Sequence, residues 1–420
     1  MTHAKPRIQS MCATLFITPT LYEECRFGEH TNWLSHGANQ VAAATRQPRR
    51  TRRASWLGKT PGFCGAARAE LQFRLSFGEF GNKADALPAA RQLGVLPVLG
   101  LWAALCLTGT FYATWHGYGG REFAATLTAF AFLFLVMLLF AARGIADGIS
   151  SRLGAGGGIL LGAAAFLAYM IYAFGTNTFS FGRALAAACL VFVPLAIAGS
   201  AERHPVGAWQ DYVAVVAIWL AVKPLPNRWG ISLSHWLWPY PEEKLAYVLT
   251  VLLALTVALA AFLLMRRLDG VGYTIGWGHR WGLFVLGSFL VFACIAIPLG
   301  TAMHFISFAP RWHEWPSLVF TSLGIFCFTA WPEEFLFRGL LQNMLTKSCK
   351  SDLAGWWTAS VLFGFSHITN LGFPNWRYVI LASIAGLFYG WTWRKTGSIF
   401  ASAIVHALVD VLWHFLFQSA

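Results

Sequence analysis

From Gly94 onward this chain is a succession of apolar runs, most near 20 residues long, separated by short loops that hold most of its charge. A helix needs about 20 apolar residues to cross roughly 30 Å of hydrocarbon, and within a bilayer each backbone N–H and C=O must find its partner inside the protein. The pattern predicts an all-α polytopic membrane protein. Spans are expected near 94–116, 123–142, 155–174, 184–201, 207–222, 245–265, 281–301, 315–346, 353–371, 378–393 and 397–418, which makes ten or eleven transmembrane helices. The run at 207–222 is short, ends at Lys223 and Pro224, and suits a re-entrant segment. The run at 315–346 is too long for one straight crossing and contains Pro332, which predicts a break or kink.

Composition agrees. Hydrophobic residues make up 57% of the 420 and charged residues 12%, against roughly 25% charged in an average soluble domain. So few polar side chains cannot cover a soluble core. The net charge of +13 would raise the question of nucleic acid in a soluble protein, but 13 basic and 6 acidic residues lie in 1–93, ahead of the first span. A basic flank beside hydrophobic spans indicates positive-inside topology and attraction to anionic lipid, with no nucleic-acid partner. With the N-terminus inside, the inner loops carry 10 Lys and Arg and the outer loops 7, which places the N-terminus in the cytoplasm. The apolar run at 11–22 is interrupted by Pro19 and followed by Glu23 and Glu24, so cleavage as a signal peptide is not expected. The eight cysteines form no C-x-x-C pair and imply neither a disulfide framework nor a zinc site. Three regions follow: a basic, poorly ordered extension at 1–93, a set of transmembrane helices at 94–300 whose role the sequence does not state, and a region at 301–420 that holds nearly all the intramembrane ionisable groups.

Ionisable residues inside apolar spans are costly, which makes them candidates for function. In TAWPEEFLFRGLLQNML, Glu334 and Arg338 are four apart on one helix face and can neutralise each other. Glu333, rotated by about 100°, points elsewhere and has no local cation. In SVLFGFSHITN, His367 follows Phe363 by one turn. In SIFASAIVHALVDVLWHF, His406 and Asp410 are also four apart, so the carboxylate can orient the imidazole.

A free glutamate and two histidines on three helices can build one polar pocket that holds water. Glu333 can take a proton from that water. His367 or an amide can stabilise the oxyanion of an attacked peptide carbonyl, and His406, oriented by Asp410, can position the water or protonate the leaving amine. No G-x-S-x-G or Cys–His pattern suggests a covalent nucleophile. No cofactor is required, although Glu333, His367 and His406 are also a ligand set for zinc. No H-E-x-x-H is present.

The order E-E-x-x-x-R (Glu333, Glu334, Arg338), F-x-x-x-H (Phe363, His367) and H-x-x-x-N/D (His406, Asp410), each on its own membrane helix, resembles the CPBP family of CAAX proteases and bacteriocin-processing enzymes, also called the Abi family. The resemblance covers about residues 315–418. It implies a C-terminal CPBP-type helical core and an intramembrane endopeptidase acting on membrane-associated or lipidated proteins or peptides. The roles it implies are Glu333, His367, His406 and Asp410 at the chemistry, with Glu334, Arg338 and Phe363 supporting them. The family's members have been described both as glutamate-type and as metal-dependent proteases. Prenyl-processing members usually have Asn at the position of Asp410, and many bacterial members have Asp.

Simpler readings compete. Glu334 and Arg338 can be a structural ion pair, and a lone His367 can be an interhelical hydrogen-bonder. The same buried groups also suit a proton-coupled transporter or a non-catalytic membrane scaffold. His414 shares the face of His406 and Asp410 and is a minor candidate for supporting them.

Overall fold

A computed structural model describes residues 91–223, 233–241 and 243–419. Residues 1–90, including the apolar run at 11–22 and a basic cluster, RQPRRTRR, at 46–53, lie outside the described residues. Each of the eleven expected runs is helical, and among the described residues seven helices are long and apolar enough to cross a membrane: Val95–Trp115, Gly120–Phe140, Ala155–Gly175, Phe181–Ser200, Glu243–Met265, Trp281–Ala302 and Ile399–Leu416. The others are Trp209–Val222, which is apolar but has 14 residues, a wound segment at 318–349, Asp352–Phe365 and Trp376–Thr396. The protein is an integral, multi-pass membrane protein.

Helix burial follows composition. Glu243–Leu259 is apolar on every face and buries Ala246 and Val248 through Leu259, so it occupies the middle of the N-terminal helices. Gly120–Phe140, Ala155–Gly175, Phe181–Ser200 and Trp209–Val222 surround it. Val95–Trp115 fully buries only Val98, with Val95, Trp102, Leu105 and Cys106 packed partly against the core and Trp102 donating to Ala131 O.

The C-terminal helices pack around the segment at 318–349. Trp281–Ala302, Asp352–Phe365, Trp376–Thr396 and Ile399–Leu416 contact it or one another. Asp352–Phe365 and Trp376–Thr396 approach closely because glycine lies between them. A Cβ on Gly386 would stand 3.0 Å from Ser360 Cα, and one on Gly364 would stand 2.5 Å from Val379 O. Small residues permit such contact where lipid supplies little drive for helix association. Three caps fix the helix starts: the side chains of Ser351, Asn375 and Ser398 accept from the amides of Ala354, Tyr378 and Ala401. Gly397, with φ of +64°, ends Trp376–Thr396 in the left-handed region. A short antiparallel pair, Ile306–Phe308 with Phe417–Ser419, ties the end of the last helix to the stretch after Trp281–Ala302.

Pro332 does not break its helix. The segment runs α over Leu318–Ile325, π over Phe326–Ala330, α over Trp331–Glu334, π over Phe335–Gln342 and α over Asn343–Cys349. The wide turn before Pro332 relaxes the clash that a proline ring makes with the carbonyl four residues back, so helical winding continues through it. The two carboxylates occupy the one tight turn between two wide ones.

Candidate active site

Glu334 is the centre of a buried network. Its side chain is fully enclosed, Oε1 accepts from Arg338 Nη1 at 2.9 Å and from His406 Nδ1 at 2.9 Å, and Oε2 accepts from Ser402 Oγ at 2.5 Å. Ser402 lies one turn before His406 on the last helix. A carboxylate removed from water is costly unless its lone pairs are met, and here a cation and two further donors meet them. Arg338 also donates to Gly386 O at 3.2 Å, and its guanidinium lies 4.4 Å from the centre of the Phe363 ring and 5.2 Å from that of Tyr389.

His406 is held from both sides. Nδ1 bonds Glu334, and Nε2 lies 3.4 Å from Asp410 Oδ2, so the carboxylate on its own helix is the looser of its two neighbours. Tyr389 stacks on the imidazole at 4.5 Å with 17° between the planes. Glu334 therefore takes the greater part of the orienting role that the i,i+4 spacing predicts for Asp410, because the 318–349 segment packs its carboxylate face directly on the last helix.

His367 lies just beyond the end of Asp352–Phe365, in the turn that follows, whereas the apolar run would have continued the helix to 371. Its Nδ1 is 2.8 Å from Phe363 O, an acceptor only, so Nδ1 carries the proton and Nε2 presents a lone pair. The Phe363 ring touches both imidazoles, at 4.8 Å from His367 and 5.6 Å from His406. One phenyl ring thus sets the positions of Arg338, His367 and His406 together.

Glu333 stands apart from this network. It is half-buried, and its Oε2 is enclosed without a hydrogen-bond partner. It borders a cleft with about 50 Å³ open to water-sized molecules, enough for a few waters. Ser366, next to His367, lines the same cleft, as do Tyr247 from the enclosed central helix and Lys223 at the end of Trp209–Val222. Glu333 is near enough to His406, Asp410 and Lys223 for its charge to act on each. A lysine 110 residues earlier in the chain, at a position that reads as the border of a loop, thus shares the cleft with Glu333 without bonding it.

Among the described residues, no group of three or more His, Cys, Asp and Glu side chains is arranged to hold a metal ion, and Glu333, His367 and His406 do not form one. Both nitrogens of His406 already face carboxylates. His414 is remote from the network: its Nε2 lies 2.8 Å from Glu314 and its Nδ1 3.2 Å from Arg311. Spacing alone could have identified Ser402, which extends the stripe of His406 and Asp410 by one more turn. Nothing in the sequence marks Lys223, Tyr247 or Tyr389.

Residues 315–412 match the family model described as type II CAAX prenyl endopeptidase, Rce1-like. The match begins just before the 318–349 segment and ends beyond Asp410, so it contains the Glu334 network, Glu333 and both histidines. No curated protein and no solved structure matches the chain. In this segment the chain is similar to CAAX-type membrane proteases.

Proposed function

We propose that this similarity extends to chemistry, and that the protein is an intramembrane endopeptidase in which Glu333 activates water against a peptide bond of a membrane-associated or lipidated substrate. The observation that carries this reading is the unequal state of two adjacent carboxylates. Glu334 is fully engaged, while Glu333 keeps an unbonded oxygen on a water-sized cleft. An engaged carboxylate holds structure, and an open one can accept a proton.

Glu333 takes a proton as the water oxygen attacks the carbonyl carbon. His367 offers Nε2 to the same water and helps to position it. His406 relays a proton to the departing amine, and Asp410 is the nearer group to its Nε2 on the exposed side. Glu334, Arg338 and Phe363 hold this set in place. No step is routed through a metal, since both nitrogens of His406 already face carboxylates. We take residues 301–420 as the protease region and 94–300 as helices that complement it. The name of the matched family motivates a prenylated substrate, with Asp410 in place of the Asn usual among prenyl-processing relatives.

The test is turnover of a farnesylated reporter peptide with a CaaX terminus in proteoliposomes. Glu333→Gln is expected to lower the rate by about 10²–10⁴-fold, the range for loss of a general base. Full activity in that variant overturns the assignment. Chelation is expected to leave the rate unchanged, and a loss that added zinc restores overturns the metal-free part.

A further inference from the structure

Neither the matched segment nor the motifs assign a role to Lys223. Its Nζ is buried and has no hydrogen-bond partner among the described residues, and the same holds for Glu333 Oε2. Both groups border one cleft, yet they do not bond each other. The other walls are chiefly apolar, with Val222, Leu255, Ala258, Phe328 and Leu336 among them. A buried ammonium without a hydrogen-bond partner is costlier there than an apolar side chain of similar volume. A vacant donor and a vacant acceptor on one small cleft describe a ligand that accepts at one end and donates at the other. A peptide carbonyl with an attacking water has both properties. A phosphate headgroup fits less well, since the Glu333 carboxylate would repel it.

We infer that Lys223 is a catalytic residue that donates a hydrogen bond to the carbonyl oxygen of the scissile peptide bond and holds that oxygen as it becomes an oxyanion. The inference rests on the hydrolytic reading above. As the water oxygen bonds the carbonyl carbon, a water proton passes to Glu333 and the carbonyl π pair moves onto oxygen, opposite the Lys223 ammonium. When the oxyanion re-forms the carbonyl, the C–N bond breaks and the leaving nitrogen takes the proton that Glu333 received, relayed by His406. The products are a carboxylic acid and an amine, which exchange one proton to become a carboxylate and an ammonium, and Glu333 is ionised again. The N-terminal helices, through Trp209–Val222, thereby complete the catalytic site of the C-terminal region.

The experiment measures kcat and KM on the farnesylated CaaX reporter peptide for the full-length protein in proteoliposomes, with Lys223→Met, Lys223→Arg and Glu333→Gln. It also measures binding of a phosphinate analogue of the scissile bond and the thermal midpoint of each variant. Lys223→Met is expected to lower kcat on the order of 10²–10³-fold, the loss typical of one oxyanion donor. KM should hold within about threefold, as for an interaction made mainly in the transition state. Phosphinate binding should weaken while the midpoint stays level or rises, and Lys223→Arg should recover part of kcat. A Lys223→Met enzyme with near wild-type kcat beside an inactive Glu333→Gln overturns the inference and leaves the hydrolytic reading standing. A rise in KM alone makes Lys223 a substrate anchor and overturns it too. A lowered midpoint in both lysine variants makes the role structural and also overturns it. Wild-type protein that neither cleaves the peptide nor binds the phosphinate overturns both readings.

Discussion

Two buried carboxylate–arginine pairs lie in different parts of this molecule, and they differ in what they leave unbonded. In the N-terminal helices, Asp211 is fully enclosed and accepts from Arg266 Nε at 2.7 Å and Nη2 at 3.0 Å, and from the amide of Gly207 at 2.9 Å. Arg266 also donates to the carbonyls of Ala201, His204 and Pro205. This network closes on itself and staples the turn after Phe181–Ser200 to the end of the central helix. In the C-terminal region Glu334 is as well satisfied, but its partners are not confined to structure. His406 turns a second nitrogen toward Asp410, and the residue beside Glu334 offers an open carboxylate to a cleft. A buried ion pair thus says little about function until the remaining bonding capacity around it is counted.

Breaking each network in turn separates the two roles. The largest effect is expected for Glu334→Ala, which strands Arg338 and releases His406. It should lower stability by about 3–5 kcal/mol, the cost of leaving one buried charge unpaired, and abolish peptide turnover in the fraction that folds. Asp211→Ala should lower stability by a similar ~3–5 kcal/mol without changing kcat of the folded enzyme, and replacing Arg266 by Met in the same chain should restore much of the loss. Thermal unfolding in detergent and turnover per folded molecule measure both outcomes, and a lowered kcat in Asp211→Ala would erase the distinction. Ser402→Ala removes a donor to a charged acceptor and should cost about 1.5–3 kcal/mol, with a smaller loss of rate than Glu334→Ala. The smallest effect is expected for Asp410→Asn. Its carboxylate is about one-third exposed and 3.4 Å from His406, and an amide oxygen can still accept there. Turnover should stay within about tenfold, the equivalent of 1.4 kcal/mol, and a complete loss would make Asp410 a direct participant.

The helices were readable in the sequence because hydrocarbon thickness and backbone satisfaction act on each run separately. The pairing of Glu334 with Arg338 was readable for the same reason, since both lie on one helix and spacing fixes their relation. The link from Glu334 to His406 spans 72 positions and depends on which helices pack together, which spacing does not encode. The place of Lys223 depends on the same packing, and hydropathy alone puts it at the edge of a loop. His367 is marked by its company, although the turn that carries it reads as helix because Ile368 and Leu371 extend the apolar run. Pro332 in sequence predicts an interruption of its helix, and the wide turns on either side absorb it.

Those wide turns also set the angular phase of the two carboxylates. A π turn holds one residue more than an α turn over nearly the same length, so removing one residue from 326–330 or 335–342 would leave a continuous helix wound by about 100° relative to its neighbours. Adjacent residues differ by that same angle. The turns thereby determine which of two chemically identical side chains is directed at the last helix and which is directed at the cleft.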